Sequence, residues 1–167
     1  MASGDTMVIF RPTDNEPPTS AFMTLDTRNS VAVLDADDTT DESAVFGAVL
    51  PSNYAGGGLT VTIVWMATSA TTGGVSWDAS FEAHPDDAFD IDSDGFAAAN
   101  NSGSATTASA TGEQQYTSIT FTDGADMDSV AAGESFRLKI TRDANGTTAT
   151  DDMSGDAELL RVIVKET

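Results

Sequence analysis

The chain has 167 residues, no cysteine, and 27 acidic against 7 basic side chains, a formal net charge of −20. One domain able to bury its own core is implied, and disulfides, thiolate metal sites and cysteine nucleophiles are excluded. A surface this negative repels DNA, RNA and anionic lipid across the ~8 Å screening length of physiological salt, which argues against nucleic-acid and membrane-surface roles.

The first ten residues, MASGDTMVIF, carry neither a basic n-region nor an apolar h-region, so no signal peptide or membrane span is expected. Residues 1–43 hold Pro12, Pro17 and Pro18, the acidic run Asp35 to Ser43, and only short apolar patches. Proline-rich polar sequence does not make central strands, so this segment is expected to be an extended N-terminal arm or a set of edge strands, with a β-sandwich domain over 44–167.

From Ala44 onward, apolar residues come in short alternating bursts. Ala44 to Pro51 is a strand candidate, followed by a turn at Gly56 to Gly58 that needs positive φ. Leu59 to Ala67 is apolar on both faces and reads as a central strand. Gly74 to Ala83 alternates sharply, with Val75, Trp77, Ala79, Phe81 and Ala83 inward. The short linker Ser69 to Gly74 predicts that these two strands pair as a hairpin. Ala97 to Gly112 is low-complexity and is expected to be a long exposed loop. Gln115 to Thr122, Glu134 to Asp143 and Ala157 to Glu166 complete the strands. The class is all-β: a two-layer antiparallel sandwich, a jelly roll in the leading reading and a small barrel in the other.

The metal candidate is Asp90, Asp92 and Asp94, followed by Gly95, which matches the first half of a calcium loop. The closing glutamate is replaced by Asn101, so a solvated acidic turn is the competing reading. His84 is the lone histidine, with no zinc partner and no G-x-S-x-G serine, and is read as a strand-end residue facing water. Adjacent acids such as Asp37/Asp38, Asp86/Asp87 and Asp151/Asp152 do not supply two carboxylates across a cleft. With no assembled base, nucleophile and orienter, the chain is read as a non-enzyme. Trp65 and Trp77 fall on apolar faces and are assigned to the core, which leaves Tyr54 as the exposed aromatic. Five basic residues, Arg137, Lys139, Arg142, Arg161 and Lys165, are placed on the outward faces of the last two strands, where they would form one positive interface stripe or simply balance nearby aspartates.

The stretches FRPTDNEPPTSAFMTLDTRNSVAVLD, AVFGAVLPSNYAGGGLTVTIVWMATSATTGGVSWDASFEA and FRLKITRD resemble the small jelly-roll virion proteins of tailed bacteriophages. The likeness lies in the order LP-x-x-Y, glycine turn, long strand with Trp, glycine turn, strand with Trp. It implies a virion structural protein on the outer capsid surface or tail. Foremost is a capsid decoration (cement) protein that contacts the major capsid protein and its own copies, with a trimer as the expected homo-oligomer. The alternatives are a tail-fibre receptor-binding head or a carbohydrate-binding module. No cofactor is expected beyond calcium at the aspartate triplet.

Overall fold

The computed structural model describes residues 2–167. Ten strands follow one another: β1 (Thr6–Phe10), β2 (Thr24–Arg28), β3 (Val31–Ala36), β4 (Glu42–Val49), β5 (Leu59–Ala67), β6 (Gly74–His84), β7 (Asn100–Thr106), β8 (Gln115–Phe121), β9 (Ser135–Arg142) and β10 (Ala157–Glu166). They form two antiparallel sheets. The six-stranded sheet runs β2-β3-β10-β5-β8 with β1 also on β10, and the four-stranded sheet runs β4-β9-β6-β7. This is the two-layer sandwich expected from the alternation.

The core lies between the sheets because alternation turns one face of each strand inward. Val61, Ile63 and Trp65 of β5 and Leu159, Val162 and Val164 of β10 meet Trp77 and Phe81 of β6 and Phe136, Leu138 and Ile140 of β9. Phe81 stands edge-on to Phe121 at 4.9 Å, and Trp65 and Trp77 lie 6.1 Å apart from opposite sheets.

Residues 1–43 do not stand apart as an arm. β1 and β3 share one edge of β10, β3 along Ala157–Leu159 and β1 along Val162–Lys165. Phe10, Met23, Leu34 and Ala36 lie in the common core, and β4 begins at Glu42, so no boundary falls at 43/44. The three prolines sit between β1 and β2, where no ladder bond is required. That connection lies along the edge of β4: the Glu16 N–H donates to the Val45 carbonyl (2.7 Å) and the Met23 N–H to that of Ser43 (3.0 Å).

Two further expectations change. β5 and β6 are not a hairpin, since each belongs to a different sheet. Their linker crosses the sandwich and ends at Gly73, whose φ is +91° and where a Cβ would lie 2.8 Å from the Met153 Cα. The low-complexity stretch is not a loop throughout, because its middle is β7, paired with β6 from Gly74↔Thr106 to Ala79↔Asn100. Backbone hydrogen bonding to a long neighbour holds this polar edge strand without an apolar period.

Candidate functional site

The outer face of the four-stranded sheet gathers a set of polar side chains. Register places them in rows across the strands: Ser43, Thr141, Asp78 and Asn101; then Val45, Lys139 and Ser80; then Gly47, Arg137 and Glu82; then Val49, Ser135 and His84. Strict period two in β6 and β9 turns these residues away from the core.

In the first row the Ser43 and Thr141 hydroxyls are 2.8 Å apart, and the Asn101 amide donates to Asp78 Oδ1 (2.6 Å) and to Ser76 Oγ (2.9 Å). Burial pushes the Asp78 carboxyl above its ordinary range; Asp143 and Asp41 add to this, against the Asn101 bond and Lys139. Lys139 makes no ion pair among the described residues.

The inner rows are covered. The loop 85–99 folds back over them, with Phe89 stacked on His84 at 3.7 Å and the Phe96 ring 4.6 Å from Lys139 Nζ and 5.2 Å from Arg137 Cζ. Beneath it the Glu82 carboxylate pairs with Arg137 (2.5 Å) and His84 (3.1 Å). Burial alone would raise the Glu82 pKa, but the bonds to Arg137 and His84 prevail and hold it low. Ser80 Oγ and Glu82 Oε1 are buried with no hydrogen-bond partner. His84, expected to face water, is thus half-buried under an aromatic ring.

The positive stripe does not form. Arg137 and Lys139 lie on the outer face of the four-stranded sheet, while Arg161 and Lys165 belong to β10 of the other sheet. Arg142 is fully buried, because it continues the inward series Phe136, Leu138, Ile140. Its guanidinium forms a two-point pair with Asp151 (3.0 and 2.8 Å) and donates to the carbonyls of Ala36, Gly155 and Met153.

Asp90, Asp92 and Asp94 do not converge on a common point. They are exposed and cap their own turn, Asp94 accepting the Asp90 N–H (2.7 Å) and Asp90 that of Asp92 (3.0 Å). Among the described residues the carboxylates that do meet are Asp37, Asp38 and Asp156, with oxygens within 4.8 Å of one another. Asp37 already accepts bonds from Thr39 and Thr40, and Asp38 one from Gly155. Three carboxylates fall short of the 6–8 oxygens that calcium takes; the Thr39 hydrogen bonds hold the Asp37 carboxyl below its ordinary range, whereas burial, then Asp37 and Asp38, push that of Asp156 up.

Close by, Asp35 faces Glu158 across the β3–β10 ladder. Burial, then Glu158 and Asp156, push its carboxyl from 3.8 up to about 6. The folded protein therefore holds an extra proton between these values, and stability falls as pH rises through that window. Asp35→Asn should raise the melting temperature at pH 7.5 and change it little at pH 4. An equal shift at both pH values would contradict this assignment.

Tyr54 is not a free platform. Its hydroxyl donates to Asp123 (2.8 Å) and accepts the Gly58 N–H (2.9 Å), and burial, with the Asp123 bond, raises its pKa to about 12. Tyr116, on the outer face of β8, is 65% exposed, and Phe22 is exposed as well. Periodicity does not reveal the covering loop; its legible signal is Phe89 and Phe96 within an aspartate-rich run.

No family model and no curated protein matches the sequence. Among solved structures, a xylan-binding module (CBM15) matches with a TM-score of 0.50 at 11% identity, covering 96% of this chain and 97% of that one. A module described for specific mannan recognition, TmCBM27, matches at 0.43 and 11% identity, covering 99% and 100%. The K3 cleaved adhesin domain of Lys-gingipain from Porphyromonas gingivalis w83 matches at 0.43 and 12%, covering 98% and 99%. The first of these shows a shared β-sandwich architecture, and identity this low extends no further than the fold.

Proposed function

We propose that the chain is a non-catalytic carbohydrate-binding domain whose ligand lies on the outer face of the four-stranded sheet. The observation that carries this is the row Ser43, Thr141, Asp78 and Asn101, which the 85–99 loop leaves uncovered. Hydroxyls, a carboxylate and an amide stand side by side on rigid strands. Sugar hydroxyls both donate and accept, and such a row offers each a partner without chain rearrangement. The fold supports the reading, since a xylan-binding module shares it.

The capsid-decoration reading rests on the sequence resemblance. Its docking stripe is divided between two sheets and the interior, so no comparable surface favours it.

Affinity electrophoresis through gels containing neutral polysaccharides, xylan and mannan among them, tests the proposal. The wild type should be retarded by at least one polymer. Asp78→Ala and Asn101→Ala should each weaken binding, the former about tenfold, the effect of losing one hydrogen bond to a charged group. Absence of retardation on every polymer, or variants that migrate as the wild type does, would refute it.

A further inference from the structure

The polar row is only the open half of this face. We propose that the covered half is a second subsite, taking one hydroxylated sugar ring, and that loop 85–99 is a strap that must lift to admit it. This rests on the carbohydrate-binding reading above.

Ser80 and Glu82 are alternate residues of β6, so their side chains leave the same face about 7 Å apart. They oppose Lys139 and Arg137, the two cations beneath Phe96. Both side chains are almost wholly inaccessible, yet Ser80 Oγ and Glu82 Oε1 have no partner. Buried polar atoms are ordinarily bonded, and orphans in a native fold call for a missing donor or acceptor. A ring with neighbouring hydroxyls supplies both: one hydroxyl donates to the Glu82 carboxylate, and another bonds Ser80. Phe96 occupies the space that ring would take.

The strap is built to move. Between β6 and β7 it contains turns and no strand or helix, and it lies at the length where structureless loops are usually lids or binding loops. One backbone bond joins it to the sheet, from the Ala97 N–H to the Phe81 carbonyl (2.8 Å), and its apolar anchors are Phe89 on His84 and Phe96 over the cations. Asp86, Asp87, Asp90, Asp92 and Asp94 crowd like charge along it, and Ile91 is 70% exposed. Few buried contacts mark a segment that opens locally. At its edge a hollow of about 360 Å³, lined by Gly47, Val49, His84, Ile91 and Arg137, leaves room for the polymer to run on.

Phe96→Ala removes the competitor and should tighten polysaccharide binding about tenfold, the factor recovered if the wild-type strap is open one part in ten. Phe89→Ala, which loosens the other anchor, should act in the same direction. In the unaltered protein, saturating oligosaccharide should speed hydrogen exchange at the Ala97 amide. Weaker binding by both variants would make the aromatic rings platforms and overturn the proposal. So would binding by the wild type with Ala97 exchange unchanged or slowed, as expected if a trapped water satisfies the two orphans. Failure of the wild type to bind any polysaccharide would overturn the parent reading and this one together.

Discussion

Arg142→Met is expected to lower the unfolding free energy by about 3–5 kcal/mol, the range for removing one partner of a buried ion pair. The wild-type guanidinium closes five hydrogen bonds inside the sandwich. Its loss strands the Asp151 carboxylate, which is 1% exposed and otherwise accepts only the Ser76 N–H (3.0 Å). The carbonyls of Ala36, Gly155 and Met153 lose their donor as well, so the ends of β3 and of the loop before β10 lose their common anchor. The double variant Arg142→Met/Asp151→Leu should recover much of the loss, because no charge is then left buried without a partner. Urea denaturation reads both effects as midpoint shifts at constant slope. A single variant within about 1 kcal/mol of the wild type would show that the pair is not structural.

The same residue shows how far the sequence could be read. Period two over Phe136, Leu138 and Ile140 puts position 142 inside, yet an arginine is ordinarily placed outside, and the charge outweighed the period. Only Asp151, nine residues on, makes the inward place tenable, and nothing local in the sequence announces that pairing. In β10 the difficulty is different. A register shift between Leu159 and Arg161 puts Leu159, Val162 and Val164 inside and leaves Leu160 on the outer face with Val33, Val64 and Met66. A bulge inserts one residue and reverses parity beyond it, which alternation alone cannot reveal.

Which strands pair was less legible than where strands lie. The linker between β5 and β6 is short enough to suggest a hairpin yet long enough to cross between layers, so the pairing expected from its length does not follow. The long-range partners of Trp65 and Trp77 decide it. In the same way residues 1–43 read as an arm or as edge strands until β10, more than a hundred residues later, gives β3 a neighbour and leaves β2 at the edge. The candidate site was half visible. The sequence puts Arg137 and Lys139 on an outward face but as part of a docking stripe, and His84 at a strand end facing water; Ser80, Glu82 and Asp78 gain meaning only when β9 lies beside β6 and the 85–99 loop returns across them.

Trp65→Ala should cost about 3–5 kcal/mol, as do other truncations of a buried large aromatic. The finer expectation separates the two tryptophans. Both are fully buried and face each other across the sandwich, tilted by 59°. Trp65 Nε1 donates to the Thr117 hydroxyl (2.9 Å), whereas Trp77 Nε1 has no partner. Trp65→Phe therefore gives up both volume and a satisfied bond and leaves a hydroxyl to be repaired. Trp77→Phe gives up similar volume but removes a buried donor that the fold left unbonded, a relief of about 1–3 kcal/mol against the cavity it opens. Trp77→Phe should thus be the milder change by about 1 kcal/mol or more in urea denaturation. If Trp65→Phe proved the better tolerated, the unpaired indole would have to be satisfied in solution, and the ledger of polar groups in this core would need to be redrawn around it.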